Sequence, residues 1–327
     1  MSADYCFVVI RRCALIRITL LSGGTGTPKL LQGLVRLVSE ENLTIICNTA
    51  DDYYFYGLYV CPDIDSVLYC LKSFLDEEKW WGIKGDTFNC LDMLKLYGYD
   101  PWFQLGDRDL ALHIHRTRLL KEGLSLSEII NDACMRLNIK PHIIPMTDQK
   151  VTTMVFTDKG KLNFQEFWVR EHANVKVFSV EFEGIKRAEP TQDVIDSIME
   201  SDAIIIGPSN PVTSIGPILE VKGIKTALER TQGIKIAISP IIGEKPLSGP
   251  AGQLMETQNL SVSPYAIAKI YSNFLDVLII HSTDTGLVPQ IEELGISVFS
   301  TNIIMKSLDD KITLAQEILR LIEEKTC

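Results

Sequence analysis

The chain has 327 residues, 46% hydrophobic and 23% charged, with 32 basic against 42 acidic side chains and a formal charge of −10. This composition supports a sizeable core and excludes disorder and mini-protein scaffolds; the acidic balance also argues against a dedicated nucleic-acid binder, which carries a basic excess on its docking face. No run reaches the ~18–20 uninterrupted apolar residues of a membrane helix, so a globular enzyme of one large or two ordinary domains is expected.

The N-terminal segment from Cys6 to Leu21 is the most apolar, but Arg11, Arg12 and Arg17 interrupt it. A twin-arginine export signal is set aside because Arg17 falls inside the would-be apolar core, and a cytoplasmic location is expected. The first strand is predicted at Ala14–Leu21, followed by the loop Ser22-Gly-Gly-Thr-Gly-Thr-Pro-Lys29 and a helix over Leu30–Val38. Gly23, Gly24 and Gly26 let backbone approach a ligand closely, and Pro28 suits a first helical turn, where its missing N–H costs nothing. Such a loop aims free amides and a helix dipole at one point, a setting for an anion, with Gly24, Thr25, Gly26, Thr27 and Lys29 as candidate phosphate ligands. It is not a Walker A motif, and Lys29 stands where the dinucleotide fingerprint needs its third glycine.

The next strand, Leu43–Cys47, ends in Asn48-Thr-Ala-Asp51-Asp52, and Cys61-Pro-Asp63-Ile-Asp65-Ser66 opens a stretch, Ile64 to Leu137, whose pattern is almost wholly helical. That stretch reads as an insertion packed over the sheet edge. Acids at a strand's carboxyl end hold ribose hydroxyls or divalent cations. Four acids near a phosphate site repel one another unless a cation offsets them, so Mg²⁺ is expected, with ligands from Asp51, Asp52, Asp63 and Asp65. Asp63 and Ser66 equally suit helix caps. Further on, Gln104-Leu-Gly-Asp-Arg-Asp109 enters a helix containing Arg116 and Arg118; Arg108 either clamps a phosphate or an acid or belongs to a solvated helix start. His113 and His115, two apart on that helix, point away from each other and make a poor metal pair.

After a strand at His142–Ile144 comes a hairpin, Val151–Thr157 and Leu162–Val169, turning at Asp158-Lys159-Gly160. A helix at Thr191–Glu200 and a strand at Ala203–Ile206 lead to the rigid turn Gly207-Pro-Ser-Asn-Pro-Val-Thr-Ser-Ile-Gly-Pro217. Here Gly207, Pro208, Ser209, Asn210, Thr213 and Ser214 are candidate nucleotide or phosphate contacts. The remaining elements are a helix at Ile224–Arg230, a strand at Ile234–Ile238, the loop Ser239–Gly252, a helix at Tyr265–Tyr271, a strand at Leu275–Ile280 and a helix at Leu308–Glu324. In that loop Lys245, Ser248 and the amides of Gly249 and Gly252 can close around a diphosphate. Apolar strands alternating with amphipathic helices imply an α/β sandwich with a mostly parallel sheet covered on both faces. Ligands bind such sheets beyond the strands' carboxyl ends. The eight cysteines include no C-x-x-C pair and read as buried, reduced thiols.

With these residues assembled, the sequence resembles the archaeal 2-phospho-L-lactate transferases. The resemblance runs through Leu21-Ser-Gly-Gly-Thr-Gly-Thr-Pro-Lys-Leu-Leu-Gln-Gly-Leu34, Pro62-Asp-Ile-Asp-Ser-Val-Leu-Tyr69, Trp80-Trp-Gly-Ile-Lys-Gly-Asp-Thr-Phe88 and Leu105-Gly-Asp-Arg-Asp109. It continues through Ile144-Pro-Met-Thr-Asp148, Phe164-Gln-Glu-Phe-Trp168, the Gly207–Pro217 turn, Ser239-Pro-Ile-Ile-Gly243 and Ser248-Gly-Pro-Ala-Gly252. It implies a Rossmann-like core, a single domain over residues 14–327 with a helical insertion at about 63–138, Mg²⁺ dependence and a homodimer. The implied reaction belongs to coenzyme F420 biosynthesis. A phospholactyl or related group passes from lactyl-diphospho-guanosine or a close analogue to the ribityl hydroxyl of the deazaflavin Fo, and GMP departs.

Carried over by motif, the family's deazaflavin-contacting acid is Asp65; its second, usually basic contact falls on Gln104, which hydrogen-bonds but brings no charge. Arg108 joins them as an Fo-binding candidate, and Asp52 or Asp65 is the candidate group to orient or deprotonate the hydroxyl. Residues 1–13 form an N-terminal extension with no counterpart in the family pattern. A rival is the related gluconeogenesis-factor family of regulatory nucleotide-sugar binders, which places Gly-Gly-Ser-Ser-Gly after its paired aspartates. Here Asp51-Asp-Tyr-Tyr-Phe-Tyr-Gly57 stands instead, and aromatic rings suit stacking on a flat heterocycle.

Overall fold

Short runs of isoleucine, leucine and valine set the centre of the molecule. The computed structural model describes residues 16–326, so the twin-arginine pair, the N-terminal extension and Cys6, Cys13 and Cys327 lie outside the described residues. The first half of the chain forms β1 (Ile18–Ser22), α1 (Gly26–Leu34), β2 (Leu43–Cys47), β3 (Tyr53–Phe55), β4 (Leu58–Val60), α2 (Pro62–Leu71), α3 (Asn89–Leu96), α4 (Asp109–Lys121), α5 (Leu126–Leu137) and β5 (His142–Pro145). Then come β6 (Thr152–Thr157), β7 (Gly160–Asn163), β8 (Val177–Glu183), α6 (Gln192–Glu200), β9 (Ala203–Ile206), α7 (Ile215–Glu220), α8 (Ile224–Arg230) and β10 (Ile234–Ile238). The chain ends with β11 (Ile241–Ile242), β12 (Lys245–Pro246), α9 (Ala251–Thr257), α10 (Pro264–Tyr271), β13 (Val277–His281), α11 (Val288–Glu292), β14 (Ser297–Thr301) and α12 (Leu308–Thr326).

Seven strands pair in the order β14-β13-β10-β9-β1-β2-β5, every neighbouring pair parallel. Neighbouring residues on a strand face opposite ways, so Leu20, Ile45 and Ile205 share one core with α1, α2, α5 and α12. Leu21, Ile46 and Ile206 share the other with α6, α7, α8 and α10. The result is three layers, as the unbroken apolar strands imply. A separate antiparallel sheet, ordered β7-β6-β8, packs on the second core. No helix of the described residues is long and apolar enough to cross a membrane.

Several expectations need correction. α1 begins at Gly26 and ends at Leu34 rather than spanning Leu30–Val38, because the chain enters the helix directly from the glycine loop with Pro28 in its first turn. The second hairpin arm stops at Asn163. The Glu166 carboxylate accepts from the Asn163 N–H (2.9 Å) and Asn163 Oδ1 accepts from the Glu166 N–H (3.0 Å), which turns the chain into a π-helical turn over Glu166–Arg170. β6 finds its longer partner in β8. The stretch after α2 is only partly helical, since left-handed residues at Ser73, Trp80, Gly82 and Gly98 interrupt it. Cys47, Cys61, Cys70 and Cys134 are buried free thiols, whereas Cys90 is exposed on α3.

Candidate active site at the strand-order reversal

Chain order runs outward from β1 through β2 to β5, then returns to β9 on the other side of β1. The carboxyl ends of β1 and β9 therefore diverge into separate loops, the position where open α/β sheets bind ligands. Here the two loops touch at backbone distance. A Cβ on Gly26 would lie 2.0 Å from the Pro208 carbonyl oxygen, and one on Gly23 2.5 Å from Ser214 Cβ. Thr27 and Ser209 hydroxyls meet at 3.0 Å. The first turn of α1 receives no side-chain cap, so its amides are available as anion donors. Asn210 Oδ1 accepts from the Val212 N–H (2.9 Å), while Asn210 Nδ2 and Thr213 Oγ1 are buried hydrogen-bonding atoms with no protein partner. Gly24, Thr25, Gly26, Thr27, Gly207, Pro208, Ser209, Asn210, Thr213 and Ser214 thus come together in one cradle.

The acids lie directly against it. A Cβ on Gly24 would stand 2.5 Å from Asp63 Oδ1. Asn48, at the end of β2, shares its amide hydrogens among Asp63 Oδ2 (3.0 Å), Asp51 Oδ2 (3.2 Å) and the Thr213 carbonyl (3.2 Å), joining acids and cradle. Asp51, Asp52, Asp63 and Asp65 are all buried. Asp51 Oδ1 and both Asp52 oxygens accept no well-formed hydrogen bond. Burial, reinforced by neighbouring carboxylates, pushes Asp51 and Asp52 well above the usual carboxylate range and Asp63 up to about 7. Charge of one sign packed this way suits a hard cation that takes oxygen ligands. Among the described residues no three carboxylate, imidazole or thiol side chains converge into a ready coordination sphere. Phosphate oxygens and water would have to complete it, the usual arrangement for Mg²⁺.

Asp65 has a different environment. The buried Arg116 guanidinium on α4 grips both of its oxygens, through Nη1 at 3.1 Å and Nη2 on the other side. Asp65 Oδ2 also accepts from the Cys61 N–H at 3.2 Å, capping α2. β4 is tied to α4 by the Tyr59 N–H, which donates to Thr117 Oγ1 at 2.8 Å. Above this junction the β3–β4 hairpin forms an aromatic wall, Phe55 stacking on Phe103 at 3.7 Å, and exposed Gln104 follows Phe103 at its rim.

Other candidates lie further out. Lys29 extends over the Trp80 ring (4.5 Å) beside Lys311, and burial followed by the Lys311 charge lowers its pKa. Arg108 is exposed and turns to the Lys84 carbonyl (3.4 Å) and the Phe74 ring. Ser248 and Gly249 are exposed on the segment after β12. Sequence reasoning missed Asn48 and Arg116. The spacing Asp109, His113, Arg116 was the available signal for the latter, since those positions share one helix face.

Residues 18–304 match the family model described as 2-phospho-L-lactate transferase CofD. The 2-phospho-L-lactate transferase of Methanocaldococcus jannaschii is 44% identical over 92% of this chain and 97% of that protein. Its namesake from Methanococcus maripaludis is 42% identical over 93% of this chain and 98% of that protein. A crystal structure of a UPF0052 family member from Bacillus halodurans superposes with a TM-score of 0.62 at 18% identity, covering 92% of this chain and 98% of that one, a likeness of fold.

Proposed function

This chain belongs to the 2-phospho-L-lactate transferase family, and from that premise we propose how its site performs the family reaction. It is an enzyme, a transferase of coenzyme F420 biosynthesis. The donor is lactyl-diphospho-guanosine or a close three-carbon analogue, and the acceptor is Fo. The observation that carries this reading is the cradle of α1 and the Gly207–Pro217 turn packed against Asp51, Asp52 and Asp63, a phosphate seat beside cation-seeking acids.

In the reaction the ribityl hydroxyl oxygen of Fo forms a bond to the phosphorus bearing the lactyl group. The bond from that phosphorus to the bridging oxygen breaks, and GMP leaves with the electron pair. Alignment and charge neutralisation supply the catalysis in such transfers. The α1 amides, Ser209, Asn210 and Thr213 hold the diphosphate, with Ser248 and Gly249 reaching the nucleotide from the neighbouring loop. Asp52, whose oxygens accept no well-formed hydrogen bond, takes the hydroxyl proton. Asp65 and Gln104 contact the deazaflavin, and Arg108, which turns to the Lys84 carbonyl, swings round to reach it. Asp51 and Asp63, whose carboxylates share the Asn48 amide, would hold a Mg²⁺ ion together with phosphate oxygens and water, and when bound it would neutralise phosphate charge. The chain acts in the cytoplasm, as a homodimer.

The regulatory nucleotide-sugar reading is not favoured, because the family match and the relatives point to the transferase. The test mixes protein, Mg²⁺, Fo and lactyl-diphospho-guanosine and follows the deazaflavin by mass spectrometry. A species heavier by one phospholactyl group, with GMP released in equal amount, is expected. No transfer together with no Fo binding would overturn the reading.

A further inference from the structure

We propose that Arg116 is a positioning residue that fixes the orientation of Asp65 as a hydrogen-bond acceptor for the deazaflavin substrate, leaving proton transfer to Asp52. This inference rests on the transferase reading and extends it to a residue outside the motifs that identified the family.

The geometry is a lock between two helices. Asp65 and Tyr69 stand one turn apart on α2; Asp109, His113 and Arg116 share a face of α4. The Arg116 guanidinium spans both oxygens of Asp65, and its Nη1 also approaches the Tyr59 carbonyl on β4 at 3.4 Å. His113 lies between two acids, Nδ1 3.7 Å from Asp65 Oδ2 and Nε2 3.0 Å from Asp109 Oδ1. The Tyr69 hydroxyl donates to the same Asp109 oxygen at 2.5 Å. Arg116 and His113 are each 1% exposed and Asp65 4%.

Stability alone is a poor reason for such an arrangement, since a buried ion pair is often no better than apolar side chains of similar volume. A bidentate fork does supply a fixed orientation. Asp65 points away from Asp63 on α2 yet stands near enough to Asp52 and Asp63 for its charge to act on both, so its orientation beside the acid cluster matters. Both its oxygens are occupied by the guanidinium, and Oδ2 also holds the Cys61 N–H. That commitment suits a stationary acceptor and ill suits a group that must collect a proton. Asp52 differs: no guanidinium grips it and its oxygens accept no well-formed hydrogen bond, with Cys61, Tyr59 and the Arg116 charge only nearby.

The experiment compares wild type, Arg116→Lys, Asp65→Asn and the double variant in steady-state transfer, with Fo affinity read from deazaflavin fluorescence and folding from thermal unfolding. Arg116→Lys keeps the charge and loses the fork. It is expected to raise KM for Fo by about tenfold or more while leaving kcat and KM for the guanosine donor within about twofold. In the Asp65→Asn background the same change, which keeps the charge that also acts on Asp52, should have no further effect on Fo, because Asp65 is the carboxylate that Arg116 grips. An unchanged KM for Fo, equal loss for both substrates, or a full effect persisting without the Asp65 charge would each overturn the proposal. Should Arg116→Lys fail to fold, Asp65→Asn/Arg116→Met removes both charges. It should match Asp65→Asn alone in Fo affinity, and a folded double variant that is much worse would overturn the idea. Wild type that neither binds Fo nor transfers would instead sink the transferase reading.

Discussion

At Gly26 a single methyl group decides whether the cradle exists. An alanine Cβ there would meet the Pro208 carbonyl oxygen at 2.0 Å, and backbone on both sides leaves little room to yield. Overpacking of this kind costs about 1–3 kcal/mol. Gly26→Ala is therefore expected to lower the thermal midpoint and to abolish GDP binding measured by calorimetry; unaltered affinity would place the phosphates elsewhere. Asp52 supports a second expectation. Asp52→Asn removes the acceptor of the hydroxyl proton, so kcat should fall about 10²–10⁴-fold with Fo affinity retained. The fold should lose nothing, since a buried carboxylate short of partners is itself destabilising; a marked drop in midpoint would argue for a structural role. The acids and glycines were legible because strand ends and helix starts constrain which residues can stand there. Arg116 was not, because its partner Asp65 lies on another helix and only tertiary packing joins them.

Among the elements, α3 depends on a side chain from another segment. Asp107 accepts from the Thr87 hydroxyl (2.7 Å), the Asn89 N–H (3.0 Å) and the Cys90 N–H (2.9 Å), serving as the cap for that helix's first turn. These bonds, the Cys90 N–H foremost, hold its pKa at about 2 against the ordinary 3.8. A depressed carboxyl contributes stability above the ordinary value and loses it as pH falls through the lowered one. Amide protection over residues 89–93 should accordingly be full at neutral pH and decline from about pH 4 towards pH 2. Asp107→Asn should weaken it already at pH 7, and hydrogen exchange checks both. The helices and apolar strands of the core were readable from periodicity. β8 (Val-Phe-Ser-Val-Glu-Phe-Glu) and β14 (Ser-Val-Phe-Ser-Thr) were not, since both are only half-buried and neither gives an unbroken apolar run.

For the molecule as a whole, ligand and fold are linked, because the cradle joins elements from both halves of the sheet. A ligand that binds only the native state adds stability in proportion to the logarithm of its concentration over Kd, about 2.7 kcal/mol at a hundredfold excess. GDP with Mg²⁺ should raise the thermal midpoint more than GDP alone, and Asp51→Asn should erase the difference; an equal rise with and without Mg²⁺ would remove the cation from the proposed site. The parallel architecture was visible in the alternation of strands and helices, but strand order was not, since it depends on pairings between distant segments. One of those pairings also bears on synthesis. β1 is an interior strand, yet its neighbour β9 lies more than half the chain away, with Ile18 opposite Ala203. A chain emerging from the ribosome at about 5–20 residues per second completes β1 long before that neighbour exists. Until then one edge of β1 is unpaired and available to a wrong partner. The nucleotide seat thus arises late, when β9 pairs with β1 and begins the second half of the sheet, and a polypeptide stopped short of the Gly207–Pro217 turn would carry the glycine loop without a site.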